Sequence, residues 1–340
     1  MRMTLKELGK LAGVSPGCVS NILNGKSEEY SEETIARVKK LANEYNYRPN
    51  SIAKSMVTKS TMTLGLIIPD ITNPYYPELA KGVESKAFER GYNIIYLNSD
   101  EDPEKERKAF RTLEQKMVDG VIFIPSVNSA KNQQIIKDFS VPIVAVDRVF
   151  DVDGINGEVV ANDYIGSRMA TNHLIRNGHR HILFLSGDRY YGLESDRAKG
   201  FLDEMKENGI EINDGYIQIG KYEAEFGYQA VRSFLDKGGL LDAVYAGSDM
   251  IAIGALQALR HYNVSVPDQV SLIGYDDIYM SQYTHPALTT VCQPKYEMGT
   301  EAVEMIIRII NQKGSSTSDN SKVIIEPSLT IRNSTSRKEA

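Results

Sequence analysis

The residues best suited to chemistry in this 340-residue chain stand where short apolar runs end. Asp70, Asn73, Tyr75 and Tyr76 follow the run 64–68, and Asp147 with Arg148 follows 143–146. Residues 187–190 follow 181–185, Tyr222 follows 216–219, Ser248 and Asp249 follow 243–246, and Asp276 with Asp277 follows 271–275. The set is rich in carboxylates, amide, arginine and tyrosine, and poor in aliphatics. Carboxylates accept from hydroxyls, a guanidinium donates to them, and an aromatic ring covers the apolar side of a sugar. The chemistry to expect is recognition of a polyol.

The positioning elements follow from periodicity. Strand-like runs at 64–68, 93–97, 121–124 and 143–146 alternate with helix-like segments such as 78–90 and 103–117. A second series at 181–185, 216–219, 243–246 and 271–275 alternates with helices at 164–176, 196–208, 223–236 and 250–261. Such alternation predicts parallel, doubly wound α/β sheets, and the break near 158–163 predicts two similar lobes. Ligands of such sheets lie beyond the carboxyl ends of the strands, where the polar residues stand. A further helix over 294–311 carries Met298, Ala302, Ile306 and Ile310 along one stripe. Residues 314–322 read as a polar linker, followed by short strands at 323–325 and 329–331.

The first sixty residues have a different period. Leu5, Leu8, Leu11 and Ala12 predict one face of a short helix, with Thr4 and Glu7 as its capping box. Gly13 suits a tight turn. Ser15 is a good N-cap and Pro16 a good first-turn residue for a second helix, whose apolar face is Val19, Ile22 and Leu23. The pair reads as a helix-turn-helix. Ser31 caps a third helix with Ile35, Val38, Leu41, Ala42 and Tyr45 as its stripe and Tyr30–Ile35 as a staple. Other small helical bundles share this pattern. Beyond it, Pro49 ends the third helix and Asn50 could cap a short helix over 51–57, too short to persist without a partner.

The length predicts two or three domains, and 41% hydrophobic with 25% charged residues is the composition of a soluble globular chain. The net charge of -6 is unevenly spread. Residues 1–60 hold ten Lys/Arg and six Asp/Glu, so the head is +4 and the remainder -10. A basic head suits phosphate contacts. Cys18 and Cys292 fall in separate predicted domains and suggest no disulfide. With no leader-like apolar segment and no run of eighteen apolar residues, the expectation is a cytoplasmic chain without membrane contact.

The segments AGVSPGCVSNILNG and YRPNSIAKSM, and nearly the whole chain around them, resemble the LacI/GalR family of transcription repressors. The resemblance implies a helix-turn-helix head (1–49), a hinge (50–60) and a core of two periplasmic-binding-protein-like lobes. It divides the core into 61–160 with 293–321, and 161–292 with 322–334, crossing near 160, 292 and 322. In the family, base edges are read by the positions here held by Pro16, Gly17 and Asn21. Pro16 and Gly17 carry no polar side chain, so reading would lean on Asn21, which could pair with adenine, and on close backbone approach at Gly17. Thr4, Ser15, Ser20, Asn24 and Lys26 are further DNA candidates, as are Asn50, Ala53, Lys54 and Met56 in the hinge. Met56 would replace the family's leucine wedge between base steps.

For the ligand, the resemblance implicates Asn73, Tyr75 and Tyr76 (NPYY), Asp147-Arg148, the Asn162-Asp163 pair, and Arg197 in S-x-R-x-x-G-F. It also implicates Tyr222, Asp276 in GYDD and Gln293 in QP. Ser248 stands where sugar-binding members carry asparagine. Glu304 replaces an arginine with which catabolite control proteins dock a phosphorylated carrier, and a carboxylate there would repel phosphoserine. The implied protein is a homodimeric repressor of sugar-utilisation genes that binds a pseudo-palindromic operator and senses a pentose or hexose, ribose foremost. The alternatives are a catabolite-control regulator and a periplasmic-type sugar-binding protein.

Enzyme motifs are absent. No two glycines are separated by one residue, so a nicotinamide fingerprint cannot form, and the G-x-S-x-G of residues 13–17 joins two helix-like segments, so it is not the strand-to-helix turn of a nucleophile elbow. Gly25-Lys26-Ser27 imitates a P-loop end, but Ser20 stands where glycine is required. His179-Arg180-His181 follows Gly178 at a predicted helix end and reads as strand entry rather than a metal pair. No catalytic activity, cofactor or metal is expected, and Asp277 reads as structural.

Overall fold

The computed structural model describes residues 3–48, 60–126, 129–148, 152–187, 193, 195–312 and 321–338. Two compact units emerge, Met1–Thr61 and Met62–Ala340. The expected hinge residues Asn50, Ala53, Lys54 and Met56 lie outside the described residues.

The first unit has three helices, α1 (Leu5–Ala12), α2 (Pro16–Leu23) and α3 (Glu32–Glu44). Their starts are where the caps predict. Thr4 Oγ1 accepts from the Glu7 N–H while Glu7 reaches back to the Thr4 N–H, and Ser15 and Ser31 cap the other two. Gly13 ends α1 with φ +67°, which glycine adopts without cost. Leu8, Ala12, Val19, Ile22, Val38 and Ala42 form the core. Each of its larger side chains contributes roughly 1.5–3 kcal/mol. That is comparable to the whole stability of so small a unit, about 0.05–0.15 kcal/mol per residue. Leu11 and Tyr45, expected on the apolar faces, are 51% and 46% exposed. The three-helix core is filled without them.

The second unit is two doubly wound lobes. The first sheet runs β2 (Asn93–Asn98), β1 (Thr63–Ile68), β3 (Gly120–Phe123), β4 (Ile143–Val146), β5 (Gly157–Ala161) and β11 (Ser321–Ile325), all parallel. It is flanked by α4 (Tyr75–Glu89), α5 (Pro103–Gln115), the short α6 (Gln133–Lys137) and α11 (Lys295–Asn311). The second sheet runs β7 (Ile217–Ile219), β6 (Ile182–Ser186), β8 (Ala243–Ala246), β9 (Ser271–Asp276), β10 (Thr289–Cys292) and β12 (Ser328–Thr330). Only the last pairs antiparallel. Its helices are α7 (Asp163–Arg176), α8 (Asp196–Glu207), α9 (Ala224–Asp236) and α10 (Asp249–His261). The buried central strands read as continuous apolar runs, as parallel sheets covered on both faces require.

Two boundaries differ from expectation. Residues 157–161 form strand β5 rather than a break, and β11 begins at Ser321, inside the expected linker. Because β11 pairs with β5, residues 322–325 belong to the first lobe and the chain crosses last after Ile325, not near 322. Strand β11 alternates half-buried and exposed residues and opens with the polar Ser321 and Lys322, which is why composition hid its start while the run 323–325 was expected. Among the described residues no helix is long and apolar enough to cross a membrane.

Candidate functional site

A cavity of about 260 Å³ lies between the lobes at the carboxyl ends of their strands. Asn73, Tyr75 and Tyr76 reach it from the end of β1, Asp147 and Arg148 from β4, and Asn162 with Asp163 from β5. From the second lobe come Arg197 at the start of α8, Tyr222 after β7, Asp276 at the end of β9 and Gln293 after β10. Ten of the eleven ligand residues expected from sequence therefore line one space.

Ser248 is the exception. It is buried, and its hydroxyl caps α10 by accepting from the Ile251 N–H, so it is committed to the fold. Asp249 beside it is also structural: its carboxylate accepts from the Ile278 N–H, Ser281 and Thr290, while burial pushes it up to about 6. Residues 188–190 lie outside the described residues.

Arg197 is held from four sides. Nε donates to Asp163 Oδ2 at 3.0 Å and Nη1 to the Gly247 carbonyl at 2.7 Å. The guanidinium lies 4.0 Å from the centre of the Tyr275 ring and 5.6 Å from that of Tyr222. A planar cation fixed in this way presents its remaining N–H groups to the cavity in one orientation.

Arg148 is fixed in the other lobe by Glu101 at 3.0 Å, the Pro125 carbonyl at 3.0 Å and Tyr76 Oη at 3.1 Å. Tyr75 donates to Asp147 Oδ1 at 2.5 Å, and its hydroxyl lies 3.3 Å from Gln293 Oε1. Gln293 in turn donates from Nε2 to Asp276 Oδ1 at 2.7 Å. Asn162 caps α7 and donates to Glu326 at 2.9 Å, so it borders the cavity with its side chain already engaged.

The two aspartates at the strand ends carry backbone strain. Asp147 has φ +74° and Asp276 φ +111°, in the left-handed region that costs a non-glycine residue of order 1–3 kcal/mol. Strain of this kind persists where the surrounding contacts determine it, and here it turns both carboxylates to one space. Burial raises the Asp147 carboxyl, opposed by Arg148. Burial pushes Asp276 up to about 8, opposed by Arg197, whose Nη1 is 3.9 Å away, and reinforced by Asp249. The cavity thus alternates carboxyl groups, guanidiniums and phenol rings, the pairing that hydroxyl groups on a ring satisfy.

Sequence reasoning did not select Ser195, Asp196, Lys322 or Ile324, which also line the cavity. Lys322 and Ile324 come from β11: Lys322 lay within the expected linker, and Ile324 lies inside the expected strand 323–325 rather than after it, so no strand-end signal marked them. Asp277 is structural as expected, paired with Arg332 at 2.6 Å. His179 and His181 flank Asp242, which accepts from the Arg180 and His181 N–H groups at the entry to β6. Among the described residues no cluster of three metal-ligating side chains occurs. Glu304, on α11, forms a bidentate pair with Arg90 and lies 3.7 Å from Lys86.

In the head, Ser15, Pro16, Gly17, Asn21, Asn24, Lys26 and Thr4 are exposed and Ser20 is half-buried. Gly17, Asn21 and Asn24 stand at i, i+4 and i+7 and share one face of α2. Asn21 donates to Tyr30 Oη at 3.0 Å, which orients its amide. A Cβ on Gly17 would meet nothing nearer than Ser15 Oγ at 3.8 Å. Glycine at this position is therefore not dictated by packing within the head.

Residues 4–50 match the family described as bacterial regulatory proteins, lacI family, and residues 61–332 match the periplasmic binding proteins and sugar binding domain of the LacI family. The HTH-type transcriptional regulator RegA of Clostridium saccharobutylicum is 36% identical over 98% of this chain and all of its own. The ribose operon repressor of Escherichia coli (strain K12) is 36% identical over 91% of this chain and 93% of its own. The lac repressor dimer bound to operator and the anti-inducer ONPF shares the fold, with a TM-score of 0.85 at 22% identity over 99% of this chain and 100% of that one.

Proposed function

The chain belongs to the LacI family of bacterial regulatory proteins, and on that premise we propose that it is a sugar-controlled repressor of sugar-utilisation genes. Two chains form a homodimer whose heads bind the halves of a pseudo-palindromic operator. Asn21 and the close approach at Gly17 read the major groove, and Thr4, Ser15, Pro16, Ser20, Asn24 and Lys26 supply the surrounding contacts. Asn50, Ala53, Lys54 and Met56 act in the hinge, with Met56 as the wedge that kinks the operator centre.

The effector is a pentose or hexose, with ribose the leading candidate. The observation that carries this reading is the polar cavity shared by both lobes. Its 260 Å³ falls just below the roughly 300–1,000 Å³ typical of drug-sized ligands, which favours a monosaccharide over anything larger. Arg197, Asp147, Arg148 and Asp276 take the hydroxyls, and Tyr75, Tyr76 and Tyr222 supply aromatic surface. The name of the ribose operon repressor, 36% identical, points the same way. Effector captured by both lobes fixes one lobe arrangement, and a preference of a few kcal/mol is enough to shift the hinge and release the operator. Induction is the expected sign.

A catabolite-control mode is disfavoured by Glu304, whose carboxylate is held by Arg90 where that mode needs a cation for phosphoserine. The test of the effector reading is calorimetric titration of the purified chain with a panel of monosaccharides and their phosphates. Saturable binding of a neutral pentose or hexose supports it. Binding of phosphorylated sugars alone would contradict it.

A further inference from the structure

We propose that Lys295 is a positioning residue for the cavity: its ammonium gathers the carbonyls of Asp276 and Asp277 and so aims the Asp276 side chain at the ligand. Only the choice of ligand in the test rests on the sugar-sensing reading above; the geometry does not.

Lys295 is 1% exposed and opens helix α11. Its Nζ donates to the carbonyl of Asp276, to that of Asp277 at 3.1 Å and to that of Gln293 at 3.5 Å, with Glu78 Oε2 at 3.3 Å. A cation in the first turn of a helix opposes the helix dipole, and an ammonium withdrawn from water is costly. Neither helix preference nor apolar burial accounts for lysine here, since a methionine would fill the space without either cost.

The carbonyls supply the reason. Asp276 and Asp277 are consecutive non-glycine residues with φ +111° and +51°. Their side chains diverge, Asp276 to the cavity and Asp277 to Arg332 and Thr330. Their carbonyl oxygens converge and would repel one another without a cation between them.

The anchor is the first lobe. Glu78 is on α4, and α4 meets α11 at glycines. A Cβ on Gly82 would lie 2.1 Å from the Tyr296 carbonyl, and one on Gly299 would lie 2.3 Å from that of Leu79. Lys295 therefore ties a ligand-facing turn of the second lobe to a close-packed helix pair of the first.

The charged groups acting on the Asp276 carboxyl are Arg197, Asp249 and Lys295, with burial the largest influence; the two cations lower it and Asp249 raises it. Aspartate-selective ¹³C labelling of the full chain, with the Asp276 signal assigned by its loss in Asp276→Asn, reads this directly. In Lys295→Met the Asp276 midpoint is expected to rise by about half a pH unit or more, and the affinity for D-ribose to fall about tenfold or more. Lys295→Arg, which keeps the charge, should retain a midpoint close to the parent. If the Met variant does not fold, Lys295→Gln, which keeps donors without charge, is read in the same way. An unmoved Asp276 midpoint in a folded neutral variant overturns the proposal. Failure of the parent protein to bind D-ribose would count against the effector reading alone, and the titration would still decide on Lys295.

Discussion

Gln293 donates to Asp276 at 2.7 Å, and its carbonyl oxygen lies 3.3 Å from the Tyr75 hydroxyl. The amide stands between β10 of the second lobe and α11 of the first. Tyr75, whose proton goes to Asp147, belongs to the first lobe and Asp276 to the second, so one side chain at the crossing bonds a cavity residue of one lobe and borders a cavity residue of the other. Gln293→Leu leaves Asp276 short of a buried partner, a loss of about 1–3 kcal/mol. The expected outcome is a fall in D-ribose affinity of roughly 5- to 150-fold by calorimetry. Unchanged affinity would show that the amide is a bystander.

Asp276 also predicts a pH dependence. Its folded-state value, about 8, is above the ordinary carboxyl value of 3.8, so the folded chain holds the proton more tightly than the unfolded one. Its contribution to stability is complete below the ordinary value of 3.8 and is lost progressively as the pH rises from there through about 8. Asp249, pushed up to about 6, acts in the same direction at lower pH. Asp276→Asn should therefore melt higher than the parent by roughly 2–4 °C at pH 9 and nearly equal to it close to pH 4, while responding less to sugar. Calorimetric scans at both values check this, and equal melting differences at both would contradict it.

Gly17→Ala separates folding from recognition. The added methyl group has open space, and alanine favours a helix over glycine by up to about 1 kcal/mol. The head should be as stable as before or more so, while affinity for the operator falls. Unchanged operator affinity in a more stable head would remove Gly17 from the DNA surface.

The hinge reading predicts that Met56→Ala weakens specific operator binding far more than non-specific binding, because only a kinked site accepts a wedge. Anisotropy titrations against operator and random duplex make the comparison, and equal losses would contradict it.

Much of this was legible because local chemistry and tertiary position agree. Thr4, Ser15 and Ser31 cap helices that begin beside them, and Asp147 and Asp276 lie where strands of a doubly wound sheet must end. Legibility failed where a local partner takes up a side chain that could have faced the ligand, and where a residue's partner is remote in sequence. Ser248 follows a strand like the others, yet its hydroxyl is taken up by the helix it starts. Lys322 belongs to an edge strand that pairs with β5, far away in the chain, and it follows a polar run whose composition is that of a linker. Lys295 looks like a solvated helix lysine, and only the convergence of three carbonyls from around it makes it a buried one.

The coupling of sugar capture to operator release is tested most directly by selecting duplexes from a random pool with the purified chain and titrating the selected complex with D-ribose and related monosaccharides. A pseudo-palindrome should be enriched, and a sugar should release it from the parent protein. Arg197→Lys, which cannot reproduce the planar fork over Tyr275, should bind the same duplex and ignore the sugar. Enrichment of no palindrome, or release of parent and variant alike, would contradict it.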